Sequence, residues 1–475
     1  MGINEKMFEK ENVGKLLFKF SIPAIIALLV NELYNMVDTM FVGRVIGGNA
    51  IGALVVVFPI QRIVAAISMM LAIGSSTFVA RRNGERDYEG IRDVIKSGIT
   101  LVFIIMIPLI ILVYIFRDNI LTMLGASENI LPYAHEYLSI VIFGSLFICM
   151  TTVMGYIMMS LGNRRVTLAS TSLGAILNII IDYILVFKLS YGVKGAAIAT
   201  VVSQFIGFIY ASYKFRGVKK TLDLSLGFKL KKEVLMGIIT VGFSAFIVEA
   251  EDGILLAILN NLLLNHVGDT GVIILGVISK LSMFMFITML GISSAMQPIA
   301  AYNLGAKNYK RLKKVVKETI IFAFITSATL WLCGMFFAEE AISLFVKEPE
   351  LISASAQAFR VMIAVFPILS IYYVSIYYYQ SIGKARSSFV LSIFRQIIVM
   401  LPISLILVKV LHKGALGVWM SYPIADFISG TFSIFLIRKA FKKLDNIVEE
   451  KELRDLEKSY SMESYKPGEV GKDTI

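Results

Sequence analysis

Long apolar runs, twelve in number, constrain this chain more than any other feature of it. Leu101–Phe116, for example, has almost no polar interruption. The hydrocarbon core of a bilayer, about 30 Å thick, takes about 20 such residues per helix. The runs fall at about 15–42, 50–80, 91–116, 132–160, 165–188, 193–213, 234–263, 271–300, 315–338, 352–380, 387–410 and 415–437. Several exceed the minimum, which predicts tilt or extension beyond the lipid. The first is too long for a signal-peptide core and no convincing cleavage site follows it, so no removed segment is expected. The chain is 57% hydrophobic and 17% charged, against roughly 45–50% and 25% for soluble domains.

The Lys and Arg residues are sorted between alternate connections. Of 46, 35 fall on the side of the N-terminus, seven fall on the other side, and Arg62, Lys280, Arg360 and Arg395 lie within runs. Positive connections stay in the cytoplasm. Both termini are therefore expected there, and the number of spans is even. The net charge of +12 reads as a topology signal, and no nucleic-acid partner is expected. Cys149 and Cys333 fall mid-span in different halves, and His135, His266 and His412 are scattered; neither set predicts a disulfide framework or a metal cluster.

The chain repeats itself. RRNGERDY (Arg81–Tyr88) after the second run answers AYNLGAKNY (Ala301–Tyr309) after the eighth, with Gly84 and Gly305 separated by 221 positions. LGNRR (Leu161–Arg165) answers IGKAR (Ile382–Arg386) at the same offset, and GVKGA (Gly192–Ala196) answers GALGV (Gly414–Val418) at 222. Each half holds six spans, so the two halves enter the membrane from the same side. This predicts an all-α polytopic membrane protein of twelve transmembrane helices, in two six-helix lobes related by a parallel pseudo-two-fold axis, an arrangement found among secondary transporters. The expected divisions are a first lobe over 1–213, a cytoplasmic linker over 214–233, a second lobe over 234–440 and a cytoplasmic tail over 441–475. Phosphate-loop, GxSxG and HExxH motifs are absent, so neither ATP hydrolysis nor another enzymatic activity is predicted, and no cofactor is expected.

Ionisable groups inside membrane spans are costly and mark candidate sites. Asn31, Tyr34, Asn35 and Asp38 share one face of the first span, through steps of three, four and seven. Asn178 and Asp182 are one turn apart in the fifth, as are Thr200 and Gln204 in the sixth. If these faces meet, two carboxylates stand among amide, phenol and hydroxyl groups. Such a pocket suits a shared proton or a dehydrated sodium ion, or else forms a buried structural network. In the seventh span Glu249, Glu251 and Asp252 crowd within four residues, and Glu249 and Asp252 share a face. They are candidate substrate contacts, or ion-pair partners of Lys280 or Arg360; Arg62, Arg360 and Arg395 are in turn expected to neutralise Glu32, Asp426 or the span-seven acids.

The string SIPAIIALLVNELYNMVDTMFVG (Ser21–Gly43), the glycine-bearing connections and the six-plus-six repeat resemble the multidrug and toxic compound extrusion (MATE) transporters over about residues 12–440. The similarity is to the MepA-like branch, with DinF-like features in the first lobe. The resemblance implies a coupling-ion site at Asp38, Asn178, Asp182 and Thr200, flanked by Tyr34 and Asn31, with H⁺ or Na⁺ as the ion. If the metal is Na⁺, its ligands would be Asp38, Asn178 and Asp182. Pro23 matches a proline that bends the first span in some members, and is the expected hinge. NorM-like members carry an acid in span ten; here IYYVSIYYYQSIG (Ile371–Gly383) has none.

Together these readings predict a cation-coupled antiporter in the bacterial inner membrane, acting as a monomer. Its expected cargo is small amphiphilic drugs or toxins. A cationic cargo is favoured because acids outnumber bases among the intramembrane charges, and because no cation interrupts the span-seven acids. The rival is a lipid-linked saccharide flippase of the same superfamily.

Overall fold

In lipid a backbone N–H or C=O has no water to bond, so each segment must satisfy its own groups as a helix. The computed structural model follows that rule throughout. It describes residues 5–46, 48–224, 231–346 and 348–463, with the side chains of 5–6, 31, 34–40, 43–44, 48–49, 252–254, 256–257, 267, 269 and 451–463 outside the described set. Its helices are α1 (Glu5–Lys10), α2 (Val13–Val45), α3 (Gly48–Gly84), α4 (Tyr88–Ile115), α5 (Arg117–Met123), α6 (Leu131–Ser160), α7 (Arg165–Asp182) and α8 (Gly192–Thr221), then α9 (Lys232–Val267), α10 (Asp269–Gly305), α11 (Tyr309–Phe336), α12 (Ala338–Ser343), α13 (Pro349–Met362), α14 (Phe366–Ser381), α15 (Ala385–Ile393), α16 (Leu401–Leu405) and α17 (Gly414–Glu463). Three wider π-helical stretches, Tyr183–Lys188, Phe394–Met400 and Ile406–Val410, continue α7, α15 and α16.

Among the described residues eleven helices are long and apolar enough to cross a membrane, and a twelfth span is a bent pair. That pair corrects the expectation of one continuous run over 352–380. α13 and α14 meet at 54°. Pro367 stands in the first turn of α14, where its missing N–H costs nothing. A continuous helix there would drive its ring against the carbonyl of Ile363. Instead Phe366 N–H bonds to Ile363 O at 2.9 Å and the chain turns. Over the expected tail, α17 runs on to Glu463, and Lys313 Nζ holds it to α11 through Asp445 Oδ1 at 2.6 Å.

The membrane helices are inside-out relative to soluble ones. On α4 Ile104, Ile107, Ile111, Leu112 and Ile115 are exposed while Val102, Met106, Ile110 and Val113 are buried, so both faces are apolar and the outer one is left for lipid tails. Packing inside forms three clusters, one of them joining Val42, Val57, Tyr137 and Val193 of α2, α3, α6 and α8. Helices α3, α4, α6 and α8 enclose a second set of buried residues, among them Leu71, Val102, Cys149 and Val153. Helices α9 to α17 enclose the third, which also takes in Phe8, Leu16 and Phe20 from α1 and α2.

The repeat is written into the turns. Positive φ recurs at Arg86 and Lys307, Gly162 and Gly383, Ser190 and His412, and Gly192 and Gly414. The helices that follow the first pair are capped by matching side chains. Asp87 Oδ1 accepts from Gly90 N at 2.8 Å, and Asn308 Oδ1 accepts from Arg311 N at 3.1 Å. At the ends of α3 and α10 the halves meet reciprocally: a Cβ on Gly84 would overlap the Tyr302 carbonyl, and one on Gly305 would overlap the Arg81 carbonyl. Gly74 of α3 and Gly242 of α9 lie equally close to the backbones of Ile238 and Met70. These approaches all lie toward the end that carries the basic connections, hereafter the basic end.

Candidate functional site

Above that seam the lobes part around a cavity of about 500 Å³, within the range that holds drug-sized molecules. Pro23, Ala27 and Glu32 of α2, Arg62 and Ser68 of α3, and Ser203 and Gln204 of α8 contribute from one half. Glu249 of α9, Phe286 of α10, Tyr373 of α14, Arg395 and Gln396 of the π-helical stretch, and Tyr422 of α17 contribute from the other. Pro23 lies inside α2, which is unbroken from Val13 to Val45.

Glu249 does not stand alone on this wall. Arg62 Nη1 lies 3.8 Å from Glu249 Oε2, bridging α3 and α9, and the guanidinium sits over the Phe58 ring at 5.1 Å. No cation interrupts the span-seven acids, yet one answers them from another span, in one of the pairings expected for Arg62. The answering group comes from the other half of the chain, so spacing along span seven could not show it. Arg360, the other expected partner, turns to Glu339 at 3.3 Å. Glu251 is buried and is not among the cavity-lining residues. The side chain of Asp252 lies outside the described residues.

Behind the first-half wall, α7 packs between α2 and α8. Here Asn178, Asp182 and Thr200 are completely buried. Neither the oxygen nor the nitrogen of the Asn178 amide, nor the Thr200 hydroxyl, has a hydrogen-bond partner among the described residues. An unsatisfied buried polar group costs about 1–3 kcal/mol, and Asn178 stands one helical turn from the Asp182 carboxylate. Oxygen donors of this kind suit Na⁺ or a proton carried with water. Asn31, Tyr34 and Asp38 lie on the adjoining helix α2, but their side chains fall outside the described residues. Asp182 is the last residue of α7 before the first π-helical stretch.

Sequence spacing missed a second polar system, which crosses the seam. Gln297 Nε2 donates to Thr77 Oγ1 at 3.0 Å, and Gln380 Nε2 donates to Ser244 Oγ at 2.9 Å. The two glutamines approach at 3.4 Å. Neutral amides in apolar helices were its one visible signal. The Arg395–Asp426 pair, expected as a neutralising contact, forms at 2.6 Å with both groups buried.

The MatE family profile matches residues 23–184 and 254–406, more than half of the chain. The chain is 23% identical over 431 residues to the multidrug export protein MepA of Staphylococcus saprophyticus, covering 90% of this chain and 94% of that one. It is 24% identical over 438 residues to an FAD transporter of Shewanella oneidensis, covering 90% and 95%. Two solved structures superpose on it at 24% identity: MATE in the straight conformation, TM-score 0.88 over 94% of this chain and 100% of that one, and the outward-facing conformation of a multidrug resistance MATE family transporter, 0.86 over 94% and 99%. Repeat, fold and profile agree, and the chain belongs to the MatE family, the multidrug and toxic compound extrusion transporters.

Proposed function

We propose that this transporter exports small amphiphilic organic compounds from the cytoplasm across the bacterial cell membrane, in exchange for H⁺ or Na⁺. The observation that carries the reading is the pairing of two separate features. One is a mixed apolar and charged cavity between repeat-related halves. The other is the buried Asn178–Asp182–Thr200 cluster one helix layer behind it. Ion and cargo need not touch: α7 and α8 serve both, so filling the cluster alters the wall that meets the cargo.

With the basic end in the cytoplasm, the seam at Gly84 and Gly305 closes the cytoplasmic side. Ion binding in the first lobe, with α2 bending about Pro23, would favour the opposite closure. Glu32 and Glu249 offer contacts to an organic cation, and Phe58, Phe286 and Tyr373 offer faces to a flat aromatic body. The name of the staphylococcal relative supports export rather than the flippase. In cells deprived of their own efflux pumps, expression should lower steady-state ethidium at least severalfold, and a protonophore together with a sodium ionophore should restore it. Ethidium levels equal to those of the empty-vector control would contradict the proposal.

A further inference from the structure

Arg395 is the most deeply buried cation of the cavity wall, 3% exposed. It stands in the π-helical stretch Phe394–Met400. The other two such stretches, Tyr183–Lys188 and Ile406–Val410, sit at equivalent places in the two halves; the one holding Arg395 follows α15 and has no counterpart in α7 among the described residues. Single wide turns of this kind concentrate at functional sites because they displace a side chain from its helical register. The turn is held in place by Tyr372. Its hydroxyl donates to Leu391 O and lies 3.4 Å from Arg395 N.

The guanidinium is half used. Nε donates to Asp426 Oδ1 at 2.6 Å, whereas Nη2 has no hydrogen-bond partner among the described residues. Its flat face lies 5.5 Å from the Phe286 ring centroid, and Phe286, Tyr373 and Gln396 stand beside it on the same wall. Guanidinium donors are arranged as a fork that fits a carboxylate or another paired acceptor. A purely structural pair would turn its remaining donors to backbone carbonyls, as Arg360 does with Met335 O at 3.0 Å.

We infer that Arg395, oriented by Asp426, is an acceptor-binding subsite, and that the cargo carries a carboxylate or similar acceptor group on an aromatic body. The inference rests on the exporter reading and narrows its substrate class. Organic cations remain acceptable at Glu32 and Glu249, so cargo bearing both charges is held best.

Two dyes isolate the acceptor group: rhodamine 110, with a free carboxylate, and rhodamine 123, its methyl ester. Fluorescence anisotropy on the protein in nanodiscs at neutral pH should give about tenfold tighter binding of rhodamine 110. Because removing one member of a buried ion pair leaves an unpaired charge, the test variant is Arg395→Gln with Asp426→Asn. It should lose that preference, its affinity for rhodamine 110 falling about tenfold more than that for rhodamine 123, and Arg395→Lys should keep part of it. Equal affinities in the unaltered protein, no binding of rhodamine 110, or equal loss of both dyes in the double variant would overturn the subsite. Gradient-driven efflux of rhodamine 123 reports the exporter reading separately. Transport of both dyes without the carboxylate preference defeats the subsite alone, and transport of neither defeats the exporter.

Discussion

Asn178 poses the sharpest question of any single residue, because a wholly buried amide without partners among the described residues is unfavourable unless another group answers it. Leucine has nearly the same volume and no polar atoms. Asn178→Leu should therefore leave thermal stability within about 1 kcal/mol, or raise it, since the unsatisfied groups are gone. If the amide is an ion ligand, the same change should cut gradient-driven transport at least tenfold. Melting curves and dye efflux on one preparation check both, and full transport would make the cluster structural. The pairing of Asn178 with Asp182 was legible in the sequence because one helical turn separates them. Which acid Arg62 would neutralise was not, since it reaches Glu249 across the lobe interface. Local spacing reports neighbours on one helix and is silent about helices that meet in space.

At the level of elements, apolar length located the spans and left their breaks undetermined. Pro367 was visible, but proline is tolerated inside α2, α3, α10 and α17 without interrupting them. Pro367 follows a turn in which Phe366 N–H bonds to Ile363 O, and residue type alone does not tell which proline stands at such a break. The connections were more legible: the glycines at 84 and 305 marked the repeat, and the structure adds that they press the two halves together. That contact predicts a barrier. Gly305→Val adds an isopropyl group whose Cβ falls where the Arg81 carbonyl stands, an overpacking that costs about 1–3 kcal/mol if relieved by strain and is avoided if the halves separate. With Cys149 and Cys333 changed to serine and a cysteine placed at Ser294 on the cavity wall, labelling from the basic end by an impermeant maleimide should quicken severalfold in Gly305→Val. Unchanged labelling would mean that the seam is not what seals that end.

For the molecule as a whole, the sequence announced its architecture because two requirements of lipid are global: apolar length for every span, and basic residues kept on one side. Paired positive-φ turns at Arg86 and Lys307, and at Gly162 and Gly383, repeat in three dimensions what the 221-residue offset repeats in one. Cargo preference was less legible. Counting acids and bases treats charges as a sum, whereas the cavity wall sets Arg62 against Glu249 and Arg395 against Asp426.

In the proposed antiport, ion movement through the first lobe drives export. Purified protein in proteoliposomes loaded with ethidium, given a pH gradient and a sodium gradient in separate trials, tests it directly. One gradient should accelerate efflux at least tenfold over the gradient-free leak, and Asp182→Asn, folded and inserted normally, should return efflux to the leak. Efflux that ignores both gradients, or an Asp182→Asn protein that still responds to one, would contradict it.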